Sequence, residues 1–120
     1  MAYPTDWMPC PDVYAFTSMK KARKFALKKY GEEPRDVPGS NGVTMYAKND
    51  LGHTVCLVVV KKNDSSRAQN MALLAHECVH VAQAWAEDMG EYRPGDEWMA
   101  YAVQSAMLTC LKQLGDEWPM

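Results

Sequence analysis

The pattern of hydrophobic and polar residues predicts helices on either side of a small β-hairpin. Asp12 to Tyr30 carries apolar residues at helical spacing and is followed by Gly31, which predicts a first helix. Val43 to Lys48 and His53 to Lys62 flank an Asn-Asp-Leu-Gly turn, as expected for two paired strands. Because Val55 to Val60 is almost wholly apolar, we expect the second strand to be buried on both faces.

Two further helices are predicted after the hairpin. Arg67 to Met89 contains no Gly or Pro and is rich in strong helix formers. Ser65 or Ser66 is a suitable N-cap, and Gly90 is placed to end this helix. A Pro-Gly turn then precedes Glu97 to Leu114, which has the pattern of a last helix. The order helix, strand, strand, helix, helix predicts an α+β fold with a small antiparallel sheet packed on helices.

Length and composition narrow the class of protein. With 120 residues and 48% hydrophobic residues, we expect residues 1–120 to form one domain. The chain starts without a signal sequence, and no apolar run reaches the roughly 18 residues of a membrane span, so we expect a cytoplasmic protein without a membrane partner. A net charge of −2 makes nucleic acid an unfavoured partner.

The pattern of cysteines also favours the cytoplasm, where thiols stay reduced. Without a CxxC pair or a secretion signal, free thiols are favoured over disulfides for the four cysteines of the chain, Cys10, Cys56, Cys78 and Cys110.

The most specific chemical feature is the sequence HECVH, which runs from His76 to His80 inside the long predicted helix. One helical turn separates the two histidines, so both can bind one zinc ion from the same face. Glu77 would lie beside the metal, where its carboxylate can take a proton from a water molecule that zinc activates. Cys78 lies roughly 200° round the helix from His76 and is expected in the core, not at the metal.

A catalytic zinc ion normally has a third protein ligand. The extension HExxHxxGxxH is excluded, because the chain lacks the glycine and the third histidine at the required spacing. Glu97 is the best-placed candidate, since it begins a helix that can pack against the histidine helix. Glu87 follows His80 on the same helix by roughly 10 Å along the axis, which is too far to share the ion. The remaining histidine of the chain is His53, in the hairpin.

HECVH followed by a helical glutamate resembles the gluzincin branch of the zincin metallopeptidases. The sequence HECVHVAQ followed by EWMAYAVQ is also similar to sequences of small phage-encoded zincin-like proteins, over about residues 71–111. The resemblance implies Zn²⁺ bound by His76, His80 and Glu97, with Glu77 as the general base in hydrolysis of a peptide bond. It also implies a peptide or protein substrate, a host cytosol for a phage-encoded chain, and a minimal zincin-like fold. In that fold a sheet edge beside the metal helix can take an extended peptide.

The resemblance is incomplete at one position. Thermolysin-type gluzincins have Asp four residues after the ligand Glu, where this chain has Tyr101. Tyr101, Tyr92, Tyr46 and His53 could each stabilise a transition state or support a ligand. Each of the tyrosines taken singly is more typical of a half-buried packing residue, and His53 of a solvent-facing position.

The first predicted helix is strongly basic, with Lys20, Lys21, Arg23, Lys24, Lys28 and Lys29. Because Glu32, Glu33 and Asp36 follow directly, a solvated face is favoured over a surface that binds nucleic acid or an acidic partner.

Three functions are therefore open. The first is a zinc peptidase, and the second is a viral interaction or structural protein in which zinc joins two helices without turnover. The third is a metal-free binding module that uses the basic helix. An open coordination position with exchangeable water would separate the first from the second.

Overall fold

Six regular elements follow one another in the computed structural model, which describes residues 13–35, 39–90, 95–115 and 118. Over these residues the chain is a small α+β domain with three helices and a three-stranded mixed sheet. The elements are β1 (Val13–Phe16), α1 (Met19–Tyr30), β2 (Gly42–Lys48), β3 (Thr54–Val60), α2 (Arg67–Asp88) and α3 (Asp96–Leu114).

The sheet has the strand order β1-β3-β2. The predicted hairpin is confirmed, since β2 pairs antiparallel with β3 and Gly42 lies opposite Val60. Asn49 closes the turn: its side-chain Oδ1 accepts hydrogen bonds from the backbone N–H groups of Leu51 and His53. All of β3 is buried, as expected for a central strand covered on both faces.

The first predicted helix is wrong over its N-terminal part, and so is the expectation of a purely antiparallel sheet. Val13 to Phe16 forms β1 and pairs with β3 in parallel, and the helix starts only at Met19. The break falls at Ser18, which has an extended backbone and accepts a hydrogen bond from Lys21 N at 3.3 Å. Val, Tyr and Phe fit a pleated surface better than a helix, so pairing with β3 prevails. Asp12 lies outside the described residues.

The helices cover the sheet on two sides. Helix α1 packs Ala22 and Ala26 onto the face formed by Val43, Met45, Val55 and Leu57. The opposite face of β3 packs against α2 and α3, where the predicted core stripe Leu74, Cys78, Val81 and Trp85 is buried. The thiols of Cys56, Cys78 and Cys110 are buried, and Cys10 lies outside the described residues.

Helix α2 begins with a reciprocal cap that confirms Ser66 as the N-cap. Ser66 Oγ accepts from Gln69 N at 3.1 Å, and Gln69 Oε1 accepts from Ser66 N at 2.9 Å. The helix ends at Asp88, and Gly90 follows with a φ of 74°. Asp88 also binds the sheet, because its two carboxylate oxygens accept from Thr54 N and Thr54 Oγ1, each at 2.8 Å. The acid is thereby engaged in joining α2 to β3.

The two edges of the sheet differ. The outer edge of β1 is covered by Gln113 of α3, whose amide accepts from Ala15 N at 2.8 Å and donates to Val13 O at 2.6 Å. The side-chain amide therefore stands in for a neighbouring strand. No described strand pairs with the outer edge of β2. Within the described part of the chain, no helix is both long and apolar enough to cross a membrane.

Candidate functional site

A cleft of about 720 Å³ lies between α2 and β2 and brings the HECVH box to one wall. His76, Glu77 and His80 line it from α2, and Thr44 and Tyr46 line it from β2. The alternation of β2 explains this arrangement: Val43, Met45 and Ala47 are buried, and they pack on the side of α1, so the side chains between them face α2.

Helix α2 comes close to β2 because position 42 is glycine. A Cβ atom on Gly42 would lie 2.8 Å from Leu73 Cγ, closer than real Cβ contacts allow. Leu73 is one turn before Glu77 and also lines the cleft. The glycine thus sets the short distance at which Thr44 reaches across to Glu77.

Glu77 is buried, with only 4% of its surface exposed. Its Oε1 accepts a hydrogen bond from Thr44 Oγ1 at 2.8 Å, and the same hydroxyl lies 3.2 Å from the backbone oxygen of Glu77. A hydroxyl has one proton to donate, and the carboxylate, at the shorter distance, is the stronger acceptor. Thr44 therefore fixes one carboxylate oxygen. No cation forms an ion pair with Glu77 among the described residues.

The two histidines lie together on the exposed side of α2. Their ring centroids are 5.1 Å apart with an angle of 76° between the ring planes. Two imidazoles that bind one zinc ion tetrahedrally, with Zn–N of about 2.0–2.1 Å, have centroids about 5 Å apart. The observed centroid distance of 5.1 Å is close to that value.

His80 has a further partner. Its Nδ1 lies 3.2 Å from Gln83 Oε1, which accepts a hydrogen bond in the tautomer that carries the proton on Nδ1 and leaves Nε2 available to a metal ion. Metal-binding histidines are commonly oriented by such a bond to the other ring nitrogen. Gln83 is thus suited to orient His80 toward a cation.

The third ligand is not assembled with this pair. Within the part of the chain that the structure describes, no group of three or more His, Cys, Asp or Glu side chains is arranged to hold a metal ion. Glu97 lies exposed in the first turn of α3. Glu87 is exposed farther along α2, in a second cavity of about 370 Å³ that it shares with His80 and Gln83. Residues 91–94, which connect α2 to Gly95, lie outside the described residues.

Tyr46 lies at the boundary of the two cavities and lines both. Burial raises the pKa of its phenol above the ordinary 10.0, and the nearby Cys56, Glu77 and Glu87 raise it further. The side chain is still 46% exposed. Its hydroxyl therefore keeps its proton at neutral pH and can donate a hydrogen bond to a molecule in the cleft.

The other transition-state candidates lie elsewhere. Tyr101 packs against the core between α2 and α3 and is not among the residues that line the cleft. His53 is exposed in the hairpin turn, where its backbone N–H donates to Asn49 Oδ1. Tyr92 lies outside the described residues.

Two residues of the site were missed from the sequence, Thr44 and Gln83. Gln83 could have been found from its spacing, because a residue three positions after His80 lies on the same helix face. Thr44 could have been placed on the α2 side of β2 by alternation, but its pairing with Glu77 spans 33 residues and has no local signal.

Compared with protein-family models, curated proteins and solved structures, this chain shows no significant match.

Proposed function

We propose that the protein is a zinc-dependent peptidase of zincin-like, gluzincin type. The observation that carries the proposal is that Glu77 lines the same cleft wall as the two histidines, with its carboxylate fixed by Thr44. A buried carboxylate without a neighbouring cation is costly. A metal ion held by His76 and His80 would supply that cation.

In this proposal His76, His80 and Glu97 bind Zn²⁺. The metal, when bound, acts as a Lewis acid that polarises a carbonyl group and favours ionisation of water. Glu77 accepts the proton of the attacking water on the carboxylate oxygen that Thr44 does not occupy. It later passes that proton to the leaving amine, and Tyr46 can donate a hydrogen bond within the same cleft.

The outer edge of β2 supports a peptide as the substrate. Backbone hydrogen bonds at both ends of the hairpin, from Lys61 N to Asn41 O and from Asn49 N to His53 O, show which residues of β2 bond to β3. By alternation, the backbone groups of Thr44 and Tyr46 point away from β3. An extended peptide could add to this edge as a strand. Its backbone would then run past Glu77.

Zinc content and hydrolysis test the proposal together. Purified protein should contain one zinc per chain, lost in the double variant His76→Ala, His80→Ala, and should cleave an unfolded protein such as casein. Glu77→Gln should keep the zinc and lose the cleavage, because the amide cannot accept the proton. Glu32→Gln is the control, since it makes the same change at an exposed carboxylate outside the cleft. Full cleavage by Glu77→Gln, or zinc retained without both histidines, would contradict the proposal.

A second function is favoured by one observation. Glu77 already binds Thr44 and is almost fully buried, which is also how a purely structural glutamate would join α2 to β2. The protein would then bind zinc as a structural or interaction protein without turnover. Zinc at one per chain, together with no cleavage by the wild-type protein, would support this alternative.

A further inference from the structure

Helix α1 concentrates positive charge on the side of the sheet away from the cleft. It contains six basic residues and no acidic residue, a formal charge of +6. The whole chain carries −2, so the rest of the chain carries −8. Ala22 and Ala26 face the sheet, and Lys20, Lys21, Lys24 and Lys28 are exposed on the outward side of the helix.

Most of this charge is not neutralised by neighbours. The ion pair that α1 makes within the described residues joins Arg23 Nη2 and Glu33 Oε1 at 2.7 Å. Lys29 lies over aromatic rings, 4.9 Å from the centre of Tyr14. The exposed lysines that remain, without an acid partner in the described part of the chain, are Lys20, Lys21, Lys24 and Lys28. Of the described acidic residues that follow α1, Glu33 pairs with Arg23 and Glu32 makes no ion pair with these lysines.

The positions of these lysines also destabilise helix α1. Lys20 and Lys21 lie in the first turn, where the helix dipole favours acidic side chains. Lys20, Lys24 and Lys28 follow one another at four-residue spacing, at which like charges repel. A helix that only covers the sheet would be more stable with acids at some of these positions. Positions that break local rules in this way are expected to serve a function.

An apolar site lies within the basic face. A groove of about 450 Å³ is lined by Met19, Leu27, Lys20 and Lys24, together with the Arg23–Glu33 pair. Leu27 is 51% exposed although it is a large apolar side chain. The groove can therefore take an apolar side chain while the lysines around it bind carboxylates.

We propose that the outward face of α1 binds a short acidic segment of a protein that carries an apolar residue. Twelve helical residues span roughly 18 Å, which matches a short segment. A long polyanion such as nucleic acid would extend beyond α1, and the chain outside α1 has a formal charge of −8, which disfavours it. The surface lies on the opposite side of the sheet from α2, so this binding is separate from the proposed peptidase cleft.

The test uses fluorescence anisotropy with a labelled peptide of eight glutamates around a central leucine, on the full chain at low ionic strength. The wild-type protein should bind it, with affinity that falls as salt is added. The double variant Lys20→Glu, Lys21→Glu should bind about tenfold more weakly or worse. The same variant should melt at a higher temperature, because an acid is favoured in the first turn and the new carboxylate at position 20 can pair with Lys24.

The matched control is Lys62→Glu, Lys112→Glu, which changes the net charge equally at exposed lysines outside α1. It should bind as the wild type does. Leu27→Ser should remove any preference for the leucine peptide over one with a central serine. Equal losses in both double variants, a lower melting temperature for Lys20→Glu, Lys21→Glu, or no peptide binding would overturn the proposal. Tighter binding to oligodeoxythymidylate or to phosphatidylserine vesicles would also overturn it.

Discussion

The contact between Thr44 and Glu77 allows variants to distinguish a structural role of the Glu77 carboxylate from a catalytic one. The hydroxyl of Thr44 binds one oxygen of a side chain that is 4% exposed. If the Glu77 carboxylate rotated freely, only a few of its orientations would direct an oxygen at the proton of the attacking water. A base fixed through one oxygen keeps the other directed consistently. Thr44 is therefore a positioning residue in the proposed reaction.

Replacing Thr44 by Val keeps the shape of the side chain and removes the hydroxyl. A hydrogen bond to a charged group contributes about 1.5–3 kcal/mol, so we expect kcat to fall by tenfold or more, with KM and zinc content nearly unchanged. Thr44→Ser keeps the hydroxyl and should restore most of kcat. Steady-state kinetics with zinc analysis of both variants is the measurement. Equal loss of kcat in the Ser and Val variants would show that Thr44 acts through packing.

Tyr46 gives a prediction for alkaline pH. Its pKa in the folded protein is raised above the ordinary 10.0, first by burial and then by neighbouring groups. Between the two pKa values the unfolded chain has lost the proton and the folded protein keeps it, so stability falls as pH rises through 10. Tyr46→Phe should make this decline shallower and leave the pH dependence of stability near pH 8 unchanged. Urea unfolding at a series of pH values measures both, and identical alkaline slopes would contradict the prediction.

At this scale the sequence predicted what depends on local spacing. His76, Glu77 and His80 line the same cleft wall, and the Leu74 to Trp85 stripe is buried, because both follow from 3.6 residues per turn. The Thr44–Glu77 bond depends instead on which strand α2 covers and in which register.

Among the elements, β1 is the one that local sequence patterns did not predict. Val13 to Phe16 runs directly into a helix-forming segment, and its partner on β3 lies 43 positions later, as in the pair Val13 and Cys56. Four residues carry too few repeats to distinguish a period of 2 from one of 3.6. The hairpin was predictable because its turn and both strands are contiguous in the chain.

Gln113 allows a test of how the edge of β1 is covered. Its amide makes two hydrogen bonds to the backbone of β1. Gln113→Ala leaves both backbone groups without that partner, and we expect the free energy of unfolding to fall by about 1–3 kcal/mol. Gln104→Ala is the matched control, since Gln104 is exposed on the same helix. Urea midpoints measure both changes, and equal stability of the two variants would show that the edge does not need Gln113.

Glu97 is the prediction that depends on how α3 begins. It lies in the first turn of α3, exposed, and follows a segment outside the described residues. If it completes the site, Glu97→Ala should weaken zinc binding by about tenfold or more, because a three-residue site loses one ligand. Glu87→Ala removes an exposed carboxylate of α2 and should leave zinc binding unchanged. Competition with a fluorescent chelator measures both affinities. Equal zinc affinities in the two variants would assign the third ligand elsewhere.

In the molecule as a whole, the two faces and the two edges of the sheet have different surroundings. Gln113 covers one edge, and the other edge borders the cleft. Helices α2 and α3 close the larger core on one face, while α1 closes the smaller core and presents its lysines outward. A peptide in the cleft and an acidic segment on α1 could therefore bind at the same time.

This layout predicts that the fold does not depend on the metal. The core extends across both faces of β3, from Val55, Leu57 and Val59 under α1 to Cys56 and Val58 under α2 and α3, whereas the histidines lie at the cleft surface. A chelator should therefore leave a folded protein with cooperative thermal unfolding. Zinc at about 100 times its dissociation constant should add about 2.7 kcal/mol, or about 10 °C in melting temperature for a domain of this size.

Calorimetry with and without zinc measures this shift, and the controls separate the proposed functions. Glu77→Gln should still show a shift, since it keeps both histidines, and the double variant His76→Ala, His80→Ala should show none. Unfolding by the chelator alone would favour a structural metal that joins helices, because in such small proteins the free energy of metal binding is the free energy of folding. A protein that stays folded without the metal does not need the ion for its structure. This is the behaviour expected of a peptidase in which the ion serves the reaction.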